Sequence, residues 1–65
     1  MANFIEMVNG IYSNKAKKYE SCKTGDLYFF DDFHGDIRKK SQSYISAVTL
    51  DLTTVNDEYR VVSKS

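Results

Sequence analysis

The spacing of apolar residues changes at Gly25, and that change constrains the fold more than any other feature of the sequence. Before it, Phe4, Ile5, Val8, Ile11, Tyr12, Ala16, Tyr19 and Cys22 fall within an arc of about 140° at helical periodicity, the stripe of a core-facing helix. After it, the apolar residues alternate and are mostly aromatic or β-branched, which is the signature of strands. The chain is therefore expected to be α+β, an N-terminal helix packed on a three- to four-stranded antiparallel meander sheet.

Asn3 is placed to cap the helix, with Glu6 three residues on to complete a capping box, and Gly25 to stop it. Met7 falls outside the stripe, while Lys15 and Lys23 intrude on it with aliphatic stems that can lie along apolar surface. The competing signal is Asn9-Gly10, a two-residue hairpin turn that would pair residues 3–8 with 11–16 and favour a small all-β barrel. That pairing leaves its second strand little to bury, whereas a glycine inside a helix costs only about 1 kcal/mol. Beyond Gly25 the expected strands are Asp26–Phe33, Asp36–Lys40, Tyr44–Thr54 and Glu58–Ser63, with turns at His34-Gly35 and at Val55-Asn56-Asp57.

With 65 residues the chain is one small domain, 1–65, and a domain of this size buries only about 60% of its unfolded surface. A lone Cys22 excludes an internal disulfide, and no Cys/His spacing fits a zinc site. Self-association as a homodimer, or a bound partner, is the remaining source of stability. Disorder is excluded, because Ile, Leu, Val and Phe number 16 of 65 at zero net charge. Apolar runs such as Leu27–Phe30 are too short to span a bilayer, and the chain opens with no secretory signal, so a cytoplasmic location without membrane association is expected.

One helix covers one face of a sheet. Because Leu27, Tyr28, Phe29 and Phe30 are consecutive, two of them must point to the uncovered face, where Ile45, Ala47 and Val62 would join them. The covered face is expected to take Val48, Leu50, Leu52 and Val61. Exposed apolar area of that extent marks an interaction surface. The expected partner-binding residues are Tyr28, Phe30, Asp31, Asp32 and Phe33, with Tyr44 and Tyr59 as neighbours. Aromatics bury area at low entropic cost, and the aspartates would select a partner protein that is basic at the contact.

Other chemistries fit less well. The run Asp31-Asp32-Phe33-His34-Gly35-Asp36 offers three carboxylates and an imidazole, but its spacing matches neither a calcium loop nor a zinc site. It reads as a solvated turn facing Arg38, Lys39 and Lys40, and no metal or cofactor is expected. A single histidine, and a cysteine that reads as a small buried thiol, leave no catalytic constellation. Single-stranded nucleic acid could use Tyr28, Phe30, Tyr44 and Tyr59 for stacking, with Lys15, Lys17, Lys18, Arg38, Lys39 and Lys40 for phosphate. Zero net charge, a pI of about 6.5 and four aspartates between residues 26 and 36 argue against it.

Phe, Tyr, Met, Ile, Asn and Lys number 26, while Gly, Ala, Arg and Pro number eight, the skew of an AT-rich coding sequence. In this bias and size the chain resembles small accessory proteins of bacteriophages or mobile elements. That resemblance implies a non-catalytic protein-binding module that inhibits a host enzyme or defence factor. A homo-oligomeric scaffold is the competing class.

Overall fold

In a computed structural model, described over residues 1–62, the chain forms helix α1 (Phe4–Ser13) and strands β1 (Lys18–Ser21), β2 (Leu27–Asp31), β3 (Asp36–Ser41) and β4 (Tyr44–Ala47). A single helical turn α2 (Leu52–Val55) and strand β5 (Tyr59–Val62) complete it. The strands make one open antiparallel sheet in the order β4-β3-β2-β1-β5, which is α+β as expected and not a closed barrel. Among the described residues no helix is long and apolar enough to cross a membrane.

The capping box forms as the sequence predicts: Glu6 N–H donates to Asn3 Oδ1 at 2.8 Å, and Asn3 N–H donates to Glu6 Oε1 at 3.0 Å. The helix runs unbroken through Asn9-Gly10, so that pair is not a hairpin turn. It stops at Asn14, however, and does not reach Gly25. Asn14 takes extended backbone angles and its side chain accepts from Ala16 N–H at 3.1 Å, a local turn that competes with another helical turn. Tyr19 belongs to the core through the two-residue period of β1, where Tyr19 and Ser21 point inward and Lys18 and Glu20 point out. Its i+3 spacing from Ala16 is coincidental. Shortening the helix turns its buried face: Met7 and Ile11 are enclosed, with Phe4 and Val8 packed beside them, while Ile5 is mostly exposed.

The third expected strand also shortens. Only Tyr44–Ala47 pairs with β3, and the chain then leaves the sheet. Asp51 ends the extended run because its carboxylate accepts from Thr54 N–H at 2.8 Å and caps α2. Leu50 and Leu52, expected in the core, lie in solvent instead. The last strand does not extend the meander. It crosses to the far edge and pairs with β1 through Ser21↔Tyr59 and Lys18↔Val62. Ser63, placed at its end from the sequence, lies outside the described residues. Ala2 exchanges two backbone hydrogen bonds of 2.8 Å with Tyr59 and covers part of the outer edge of β5.

These pairings divide the side chains between two faces. Tyr19, Tyr28, Ile37 and Tyr59 meet Met7 and Ile11 beneath α1 and form the core. The Tyr28 and Tyr59 rings meet edge to face at 5.2 Å, and Tyr59 Oη donates to the Thr54 carbonyl at 2.6 Å. Burial raises the pKa of both phenols, and the neighbouring Tyr28 adds to the rise at Tyr59. Beside them the buried Ser21 hydroxyl donates to the Asp57 carboxylate, and Asp57 also accepts from Glu58 N–H at 2.6 Å. This polar link ties the end of β1 to the start of β5.

Candidate interaction surface

The hairpin between β2 and β3 is held open by one aspartate. Asp31 Oδ1 accepts from Phe33 N–H at 2.9 Å, and Asp31 Oδ2 lies 2.7 Å from His34 Nδ1. Its backbone carbonyl accepts from Gly35 N–H at 2.7 Å. Gly35 has φ +73°, the left-handed conformation that a side chain disfavours, and it returns the chain into β3. The hydrogen bond from His34 holds the Asp31 carboxyl below the usual carboxylate range, with Phe33 N–H contributing further. This frame presents Phe33 to water, 88% exposed, with its ring edge to face with His34 at 5.0 Å. Asp32 stands exposed beside it.

Both helices lie on the core face, which leaves the other face of the sheet uncovered. By the strand registers it carries Leu27, Phe29, Ile45, Ala47 and Val62 among Lys18, Glu20, Asp31, Asp36, Arg38, Lys40 and Arg60. The apolar set expected there is present: Leu27 and Phe29 are the two members of the run 27–30 that point outward. Among the described residues, Arg60 Nε pairs with Glu20 Oε1 at 2.9 Å and Arg38 Nε with Asp36 Oδ1 at 2.8 Å on this face.

The expected site residues separate accordingly. Asp31, Asp32 and Phe33 come together at the hairpin tip. Tyr28 and Tyr59 are 3% and 0% exposed under α1 and present no surface, because their strands turn those positions toward the helix. Phe30 shares that face and is partly buried, its ring edge to face with Tyr12 at 5.9 Å and 4.7 Å from Lys15 Nζ. Tyr44 is exposed but begins β4, at the end of the sheet away from the β2–β3 tip. Leu27 and Phe29 take the place on the open face that Tyr28 and Phe30 were expected to share. The missing signal was the parity of the strands, and recognising Tyr19 and Ser21 as a buried alternating pair would have supplied it.

Two further features complete the surface. An open groove of about 360 Å³ runs between α1 and the chain leaving β4, lined by Phe4, Val8, Tyr12, Ile37, Val48 and Leu50 among others. Cys22, expected as a buried thiol, is exposed just past β1 with its sulfur 3.3 Å from Met1 Sδ. Among the described residues no group of three or more His, Cys, Asp or Glu side chains is arranged to hold a metal ion. Comparison with known protein families, curated proteins and solved structures returns no match.

Proposed function

We propose that this chain is a non-catalytic protein-binding module that engages its partner through the β2–β3 hairpin tip. The observation that carries this reading is Phe33, an almost fully exposed aromatic on a turn fixed by three hydrogen-bonded contacts to Asp31. Solvent gives such a ring nothing to bury against, and no contact within the fold requires it to be apolar. A preorganised aromatic loses little entropy when a pocket closes on it. Asp32 stands exposed beside it, so the matching pocket has a basic rim, and the opposite charges speed encounter. The compositional resemblance to phage and mobile-element accessory proteins extends this reading to inhibition of a host enzyme or defence factor.

The test compares the wild type with Phe33→Ala and Asp32→Lys as immobilised baits in a bacterial host lysate, after circular dichroism shows that both variants are folded. The reading requires a basic protein that the wild type retains and both variants lose. Equal retention by folded variants overturns the hairpin tip as the contact. Light scattering over a range of concentrations separates this from the homo-oligomeric alternative, in which mass rises with concentration and no second protein is captured.

A further inference from the structure

The formal neutrality of the chain hides a separation of charge that only the fold reveals. On the uncovered face, two rows of side chains read across the strands, and a third, of Asp31 and Asp36, lies on the other side of Phe29. One row is Ile45, Lys40, Leu27, Glu20 and Arg60, and the other is Ala47, Arg38, Phe29, Lys18 and Val62. Lys18 takes its place beside Phe29 one step on from the Tyr19↔Tyr28 pair. These rows hold four cations, Lys18, Arg38, Lys40 and Arg60, against one anion, Glu20. Asp31 and Asp36 sit beyond them at the hairpin end. Arg60 is paired with Glu20, and Arg38 with Asp36. Lys18 and Lys40 are both exposed and, among the described residues, neither forms an ion pair.

We infer that this face binds a single-stranded nucleic acid, independently of the hairpin tip. Phe29 lies on the central strand of five, at the edge of the cationic rows beside Asp31, and is partly exposed. A flat aromatic ring held on a sheet stacks one unpaired base, which a duplex does not offer. Lys18 and Lys40, on the strands to either side of Phe29, are placed to take phosphates on both flanks of that base, with Arg38 and Arg60 adding weaker, shared charge.

The experiment is fluorescence anisotropy of labelled twelve-nucleotide oligo(dT) and oligo(U) across a salt series, with a blunt duplex and heparin as comparison polyanions. The wild type is expected to bind the single strands with affinity that falls as salt rises, and to prefer them over the duplex. Phe29→Leu keeps the apolar volume but loses the π face, and should weaken single-strand binding about tenfold while leaving heparin binding unchanged. Lys18→Ala and Lys40→Ala should each lower the salt slope by about 0.7. Phe33→Ala, at the tip, should change nothing, so failure here is distinguishable from failure of the protein-binding reading. The inference is overturned if oligonucleotides are not bound at low salt. It is equally overturned if Phe29→Leu binds as the wild type does, leaving a mere cation exchanger or a site for an acidic protein.

Discussion

The hydroxyl of Tyr19, on β1, lies over Gly10 in α1 at a point where any Cβ on residue 10 would overlap it. The glycine that looked like half of a hairpin turn is there because a strand comes close to the helix. In a free helix, replacing it with alanine would gain about 1 kcal/mol. Here Gly10→Ala should instead destabilise the protein by about 1–3 kcal/mol, the cost of overpacking a filled site. Adding Tyr19→Phe removes the obstructing oxygen and should recover part of the loss. Urea unfolding of the single and double variants measures both effects, and a Gly10→Ala variant more stable than the wild type would contradict the contact.

The buried Ser21–Asp57 link makes a separate prediction. Removing the hydroxyl with Ser21→Ala leaves a buried carboxylate oxygen without its donor and should cost about 1–3 kcal/mol. Asp57→Ala removes the acceptor of the Ser21 hydroxyl in turn, leaving that oxygen with its bonds from the Lys23 and Thr24 N–H groups. A double-mutant cycle by thermal or urea unfolding should therefore give a coupling well above zero. Additive losses would mean the two groups do not depend on one another.

Phe33 should behave in the opposite way. Because its ring is solvated and the turn is held by Asp31, Phe33→Ala should shift stability by less than about 0.5 kcal/mol. Chemical denaturation checks this before any binding measurement is interpreted. A large loss would show that the ring supports the fold and is not a free knob.

Acid should weaken the hairpin tip. The Asp31 carboxyl has a folded pKa below its unfolded one, chiefly because of the hydrogen bond from His34. Its contribution is therefore fully present above the ordinary carboxylate range and disappears as pH falls through the lowered folded value. Asp51, lowered by its cap on Thr54, acts in the same direction. Asp31→Asn should flatten the acid limb of a stability-against-pH profile by lowering its neutral region while leaving its acid end little changed. NMR titration of the Asp31 carboxyl should give a midpoint below that of a model peptide.

The parts of this fold that local chemistry dictates were legible in the sequence. The Asn3–Glu6 capping box, the β2–β3 hairpin and its Gly35 turn, and the outward assignment of Ile45, Ala47 and Val62 all follow from short-range rules. What was not legible depends on partners distant in the chain. Tyr19 satisfies both a helical and a strand period, and only its neighbours Tyr28 and Val61 decide which applies. The alternation from Tyr44 to Thr54 is as good as that of any strand, yet Asp51 caps a helical turn within it and β5 returns to the opposite edge. The candidate surface failed at the same point. The run 27–30 requires two residues on each face but does not say which two, so Tyr28 and Phe30 were exchanged for Leu27 and Phe29. A net charge count likewise carries no information about how charges are arranged on a folded face.

The central claim is the division of the sheet into one face closed by α1 and one left open around Phe29. NMR relaxation enhancement by a soluble, uncharged paramagnetic agent tests it directly on the isolated chain at low concentration. The account predicts strong enhancement for the Phe29 ring, the Leu27 methyl groups and the Phe33 ring, and little for the rings of Tyr28 and Tyr59. Equal protection of Phe29 and Tyr28 in a monomer would contradict it.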